Sequence, residues 1–147
     1  MINDLYQETI LDHIRRPRNF RLLEDANRKA EGYNPLCGDK VTVYLKVEDG
    51  RISDASFEGS GCAISTASAS LMTDSLKGKS EAEALLMLAE FHGMVTGPVT
   101  GGTPVALGKL EALAGVREFP QRVKCTTLAW HTLQAALKNR HEKVTTE

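Results

Sequence analysis

Three cysteines and one aspartate carry the chemistry this chain can do: Cys37, Asp39, Cys62 and Cys125. No two of the cysteines form a Cys-x-x-Cys pair, and an odd count argues against a disulfide framework or a thioredoxin-like motif. Each has a reactive setting. Cys37 lies in the turn-rich run Asn34-Pro35-Leu36-Cys37-Gly38-Asp39. Cys62 follows Phe57-Glu58-Gly59-Ser60-Gly61, which reads as a strand end, a glycine turn and a helix start; Gly59 and Gly61 are expected to adopt backbone angles that other residues resist. A thiol at a helix N-terminus meets unpaired N–H groups and the positive end of the helix dipole, which favour the thiolate. Cys125 follows Phe119-Pro120, a second helix start, and is flanked by Arg122 and Lys124. Three thiolates and one carboxylate make a four-ligand tetrahedral set that suits zinc. Arg122 and Lys124 would offset its negative charge. The plainer readings are a turn-capping Asp39, a solvated helix face for Arg122 and Lys124, and three unrelated buried cysteines.

The elements that must position these residues follow from hydrophobic spacing. Ile2, Leu5, Tyr6, Ile10, His13 and Ile14 share one helical face over about 3–15, closed by Arg16-Pro17. His13 falls on the inner side as a hydrogen-bonded packing residue. A short edge strand is expected near 28–33. Val41, Val43, Leu45 and Val47 alternate with polar residues as a half-buried strand. Asp49-Gly50 is a hairpin turn, and the returning strand over 51–58 slips in phase, which predicts a bulge. Cys37 and Cys62 then sit at the open end of one hairpin. A helix of mostly small residues runs from Cys62 to about Lys77 and stops at Gly78. Ser80-Glu81-Ala82-Glu83 is a capping box for the next helix. Gly97 to Pro104 reads as a connector without a phosphate-loop ending, and 107–113 as a short helix. His131 and His141 read as surface or packing residues, and 142–147 as a frayed tail.

With 147 residues, 41% of them hydrophobic, the chain is expected to form one domain over 1–147. A net charge of -1 excludes a broad basic field for nucleic acid or anionic lipid. The N-terminus lacks a basic-then-apolar leader pattern, and no apolar run approaches the roughly 20 residues of a membrane span. A cytoplasmic protein is the expectation.

Asp12-His13 with Pro17-Arg18-Asn19, Asn34-Pro35-x-Cys37-Gly38-Asp39, Phe57-x-Gly59-x-Gly61-Cys62-x-Ile64-Ser65 and Arg122-x-Lys124-Cys125, in that order along nearly the whole chain, resemble the NifU N-terminal, IscU and SufU family of iron–sulfur cluster assembly proteins. The resemblance implies an α+β fold, a small antiparallel sheet of about three strands packed against about five helices. It implies that Cys37, Asp39, Cys62 and Cys125 converge on one metal or cluster site. Lys124 stands where IscU scaffolds have a histidine before the third cysteine, and the chain between Cys62 and Cys125 is longer than in IscU, around Met94 to Leu113. Both features are similar to SufU. That branch implies a zinc-dependent sulfurtransferase-like protein, taking sulfur from a SufS-like, pyridoxal-phosphate cysteine desulfurase. Cys37 is the expected acceptor of the persulfide sulfur, because it reads as lying on a turn and not on a packed helix, and a downstream scaffold would receive it. A donor residue would displace Cys37 from zinc as the partner docks. The alternative is a scaffold holding iron or a [2Fe–2S] cluster on the same cysteines, followed by a structural zinc domain.

Overall fold

The computed structural model describes residues 4–35, 38–96, 113, 120–138 and 144–145, and the statements below concern these. In chain order they form α1 (Asp4–Arg15), β1 (Arg28–Asn34), β2 (Asp39–Glu48), β3 (Arg51–Ser60), α2 (Ala63–Leu76), α3 (Glu81–Thr96), α4 (Pro120–Leu137) and β4 (Val144–Thr145). The architecture is α+β, as expected. The strands lie in the order β3-β2-β1-β4. β1, β2 and β3 form the expected antiparallel sheet. The described residues contain four helices, and the expected short helix over 107–113 lies outside them except for Leu113, which is buried.

The local devices are mostly those read from the sequence. Asp49 and Gly50 both have positive φ, 52° and 76°, the turn geometry that matches strand twist in a two-residue hairpin. The bulge falls at Ser53: Lys46 pairs with Asp54 and Val47 with Ile52, leaving Ser53 extra. Ser80 and Glu83 cap α3 reciprocally, at 3.0 and 3.1 Å. One expectation needs correction. Of the tail thought to be frayed, Val144–Thr145 pairs in parallel with Gly32 and Tyr33, adding β4 to the edge of β1. An exposed strand edge offers unpaired N–H and C=O groups, so even two residues find partners there.

The alternation of β2 and β3 puts Val43, Leu45, Ile52, Ala55 and Phe57 on one face, all buried. α2 covers β3, and α4 covers β1 and β2; α1 packs outside α2 and α3 outside α4. α4 approaches β1 closely at Gly32, where a Cβ would collide with Thr132 and lie 3.1 Å from Leu128 Cδ1. Phe91 of α3 stacks on Trp130 of α4, with ring centres 4.2 Å apart. His13 is buried, and its Nδ1 lies 2.6 Å from Ser70 Oγ of α2, the packing role expected of it. Among the described residues no helix is long and apolar enough to cross a membrane.

Candidate metal centre

The open end of the β2–β3 hairpin, the start of α2 and the early part of α4 meet at one place. Gly38, at φ 72°, turns the chain into β2 and donates its N–H to the Asn34 carbonyl at 2.8 Å. Asp39 is then the first residue of β2, opposite Asn34, and is fully buried. Across the hairpin the Lys40–Ser60 pair is the last rung before Gly61 and Cys62.

Cys62 is the N-cap of α2, extended at φ -73° and ψ 163°. Its backbone N–H donates to Asp39 Oδ1 at 2.8 Å, and its Sγ accepts the Ser65 N–H at 3.4 Å. Its Sγ also lies 3.7 Å from Asp39 Oδ2. The two oxygens of Asp39 are used differently. One oxygen satisfies the backbone ahead of the helix, and the other faces a thiol.

Gly61 is needed for space, not for unusual torsions. Neither Gly59 nor Gly61 is among the positive-φ residues, which corrects the expectation for both. A Cβ on Gly61 would lie 2.9 Å from Asp39 Cγ, and one on Gly59 would lie 3.0 Å from Val41 Cα.

Cys125 reaches the same point from α4. That helix starts at Pro120, so Cys125 is past its first turn and its N–H belongs to the helical ladder. The expected helix-start setting holds for Cys62 and not for Cys125, which is buried at 6% exposure. Arg122 is exposed and Lys124 half-buried, and among the described residues neither side chain is hydrogen-bonded or ion-paired. Cys37 lies outside the described residues.

One ligand atom each from Asp39, Cys62 and Cys125 lie within 4.8 Å of one another. The edges of a tetrahedral zinc site with bonds of about 2.3 Å are about 3.8 Å long. Two thiols and a carboxylate at that spacing fit zinc's preferred donors and need to close by less than about 1 Å. The three described histidines lie outside this group: His13 is tied to Ser70, and His92 faces His131 at 5.5 Å.

Residues 5–147 match the family model described as NifU-like N terminal domain. The chain belongs to the NifU-like N-terminal domain family. Within it, the chain is 44% identical over 137 residues to the iron–sulfur cluster assembly scaffold protein IscU of Streptococcus pyogenes serotype M1, covering 93% of this chain and 85% of that one. It is 42% identical over 133 residues to the zinc-dependent sulfurtransferase SufU of Bacillus subtilis, covering 90% and 89%. A solved structure from Fervidobacterium islandicum, provisionally assigned as an iron–sulfur cluster assembly scaffold protein for the SUF system, superposes with a TM-score of 0.82 at 38% identity, covering 88% of this chain and 94% of that one. NifU-like relatives of comparable likeness thus carry both names, scaffold and sulfurtransferase.

Buried Ser68 and the crowded contact at Gly61 escaped the sequence reading. The run after Cys62 is mostly small residues, which permits close helix packing, but no spacing rule says which of its hydroxyls faces α4.

Proposed function

We propose that the chain is a zinc-dependent sulfur acceptor in iron–sulfur cluster assembly, loaded by a cysteine desulfurase and unloaded onto a scaffold. The observation that carries the reading is the all-protein donor group Asp39, Cys62 and Cys125, which contains no histidine. Lys124, ahead of Cys125, supports it: a lysine there brings positive charge beside an anionic site instead of a ligand for a cluster. Zinc, when bound, would hold the thiols as thiolates at neutral pH. Cys37, Asp39, Cys62 and Cys125 are the proposed ligands. Arg122 and Lys124 offset their charge.

Cys37 is the proposed acceptor. In the sequence it stands beside Gly38, between β1 and β2, whereas Cys125 is buried within α4. Its thiolate attacks the outer sulfur of the donor's cysteine persulfide. One S–S bond forms as the donor's S–S bond breaks, and the donor cysteine leaves as a thiolate. No external oxidant or reductant is required. The acceptor keeps the sulfur as a persulfide for the next thiol.

The test is to purify the protein without oxygen, measure zinc, iron and acid-labile sulfide, and then supply a cysteine desulfurase with sulfur-labelled cysteine. About one zinc per chain, no chromophore and label lost in Cys37→Ser are the expected results. Iron and sulfide in equal amounts with a visible chromophore would make the chain a scaffold on the same residues. Full labelling of Cys37→Ser would move the acceptor role to Cys62 or Cys125.

A further inference from the structure

We propose that Ser68 is a positioning residue of the metal centre, holding the two cysteine-bearing helices at ligand distance. The inference rests on the metal-site reading above. Ser68 is fully buried on α2, about one and a half helical turns beyond Cys62. Its hydroxyl donates to the Thr126 carbonyl of α4 at 2.6 Å. The same oxygen accepts the Trp130 indole N–H at 3.1 Å. Thr126 directly follows Cys125, so the hydroxyl ties the Cys62 helix to the residue next to the second thiol.

The geometry gives this tie a specific consequence. Cys62 and Cys125 lie on different helices, and a slide of α2 along α4 moves one sulfur against the other. The sulfur pair has less than about 1 Å to travel to reach tetrahedral spacing. A buried hydroxyl with both a donor and an acceptor partner on α4 fixes α2 along and across that helix. Losing it leaves the indole N–H and one lone pair of the Thr126 carbonyl without their partner, and those groups are satisfied only by shifting the helices.

Ser70 supplies an internal control. It is equally buried on the same helix, and its hydroxyl ties α2 to His13 and to the Arg18 N–H, away from α4. Both serines hold the fold together, and only Ser68 connects the thiol-bearing helices.

The experiment compares Ser68→Ala and Ser70→Ala with the wild-type full chain. Zinc affinity is read by chelator competition, and site geometry by the thiolate-to-metal absorption of the cobalt-substituted protein. Ser68→Ala is expected to bind zinc about 10-fold more weakly, the low end for residues that orient metal ligands, with altered cobalt bands. Ser70→Ala is expected to melt at a lower temperature with wild-type affinity and wild-type bands. Wild-type affinity and bands in Ser68→Ala overturn the proposal, and so does an equal loss of affinity in Ser70→Ala. If Ser68→Ala does not fold, Trp130→Phe removes the indole donor to the same hydroxyl; weaker zinc binding supports the proposal and unchanged binding overturns it. A wild-type chain that binds neither metal sinks the site reading itself, an outcome visible before any variant is made.

Discussion

Cys62 and Cys125 point at the same few ångströms of space but are held in opposite ways. Cys62 is a helix cap: partly exposed, extended in backbone, with its N–H on Asp39 and its sulfur on the Ser65 N–H. Cys125 is a buried residue in a continuous helix, in a run with buried Thr126, Leu128 and Ala129. A cap can shift by a torsion or two without disturbing its helix. A residue in the second turn moves only if the helix moves. The site therefore has one adjustable wall, made of Cys62 and the turn at Gly38, and one fixed wall, made of α4. Under the proposed sulfur-acceptor function that asymmetry would be useful, because the fixed wall would preserve the register while the adjustable one admitted a partner.

Asp39 joins the two walls, so changing it tests the comparison most severely. Asp39→Asn keeps an oxygen for the Cys62 N–H and removes the charge that would bind metal. If four ligands share the roughly 10–16 kcal/mol of a zinc site, one is worth about 3 kcal/mol, and the variant should bind zinc about 100-fold more weakly with little change in metal-free stability. Asp39→Ala also orphans the Cys62 N–H and should lower metal-free stability by a further 1–3 kcal/mol or so. Chelator competition and urea unfolding of the metal-free protein separate the two losses. Equal zinc affinity in Asp39→Asn and wild type would leave Asp39 as a cap only.

Gly61→Ala probes the adjustable wall through its contact with Asp39. The added methyl would sit 2.9 Å from Asp39 Cγ and 3.1 Å from its Cβ, inside a buried corner. Overpacking of this kind costs about 1–3 kcal/mol. The melting temperature should fall, and zinc binding should weaken because Asp39 is displaced from Cys62. If the cap yields freely, stability falls little and only the zinc affinity changes. That result would sharpen the contrast with α4, where the crowded contact of Gly32 with Thr132 leaves no such freedom.

Much of this was legible in the residues, for identifiable reasons. The hairpin, the α3 capping box and the stop at Gly78 depend on interactions within a few residues of each other, and the chain states them directly. The hairpin about Asp49-Gly50 placed Cys37 and Cys62 together at its open end; Cys37 lies outside the described residues, but the Lys40–Ser60 rung does bring the start of β2, with Asp39, beside the turn that leads to Cys62. What was hidden depends on a third element. Phe119-Pro120 marked the start of α4 correctly, but Cys125 lies a full turn beyond it, so its thiol is set by the packing of that helix and not by the helix end. The partner of Ser68 depends on the rotation of α2 against α4. β4 consists of two residues whose pairing is decided by the free edge of β1, and no local pattern announces it.

The smallest expected effect concerns the fixed wall. α4 carries half-buried His131, whose pKa is held below the ordinary 6.5, first by burial and then by nearby His92. The imidazole stays neutral in the fold while the unfolded chain protonates near 6.5, so between the lowered pKa and 6.5 the unfolded state binds more protons. Stability then rises with pH through that window and is lost as the solution is acidified below about 6.5. The carboxylates with lowered pKa, such as Asp54 held by Arg21, titrate at more acidic pH and do not obscure it. Melting of the metal-free protein between pH 7.5 and about 5 should show a decline that His131→Gln flattens. Metal-free protein is essential, because thiol protonation weakens zinc binding over the same range. If the decline persists unchanged in His131→Gln, the contact between α3 and α4 is not the acid-sensitive part of this wall, and its fixity rests on the Phe91–Trp130 stack and the Ser68 tie alone.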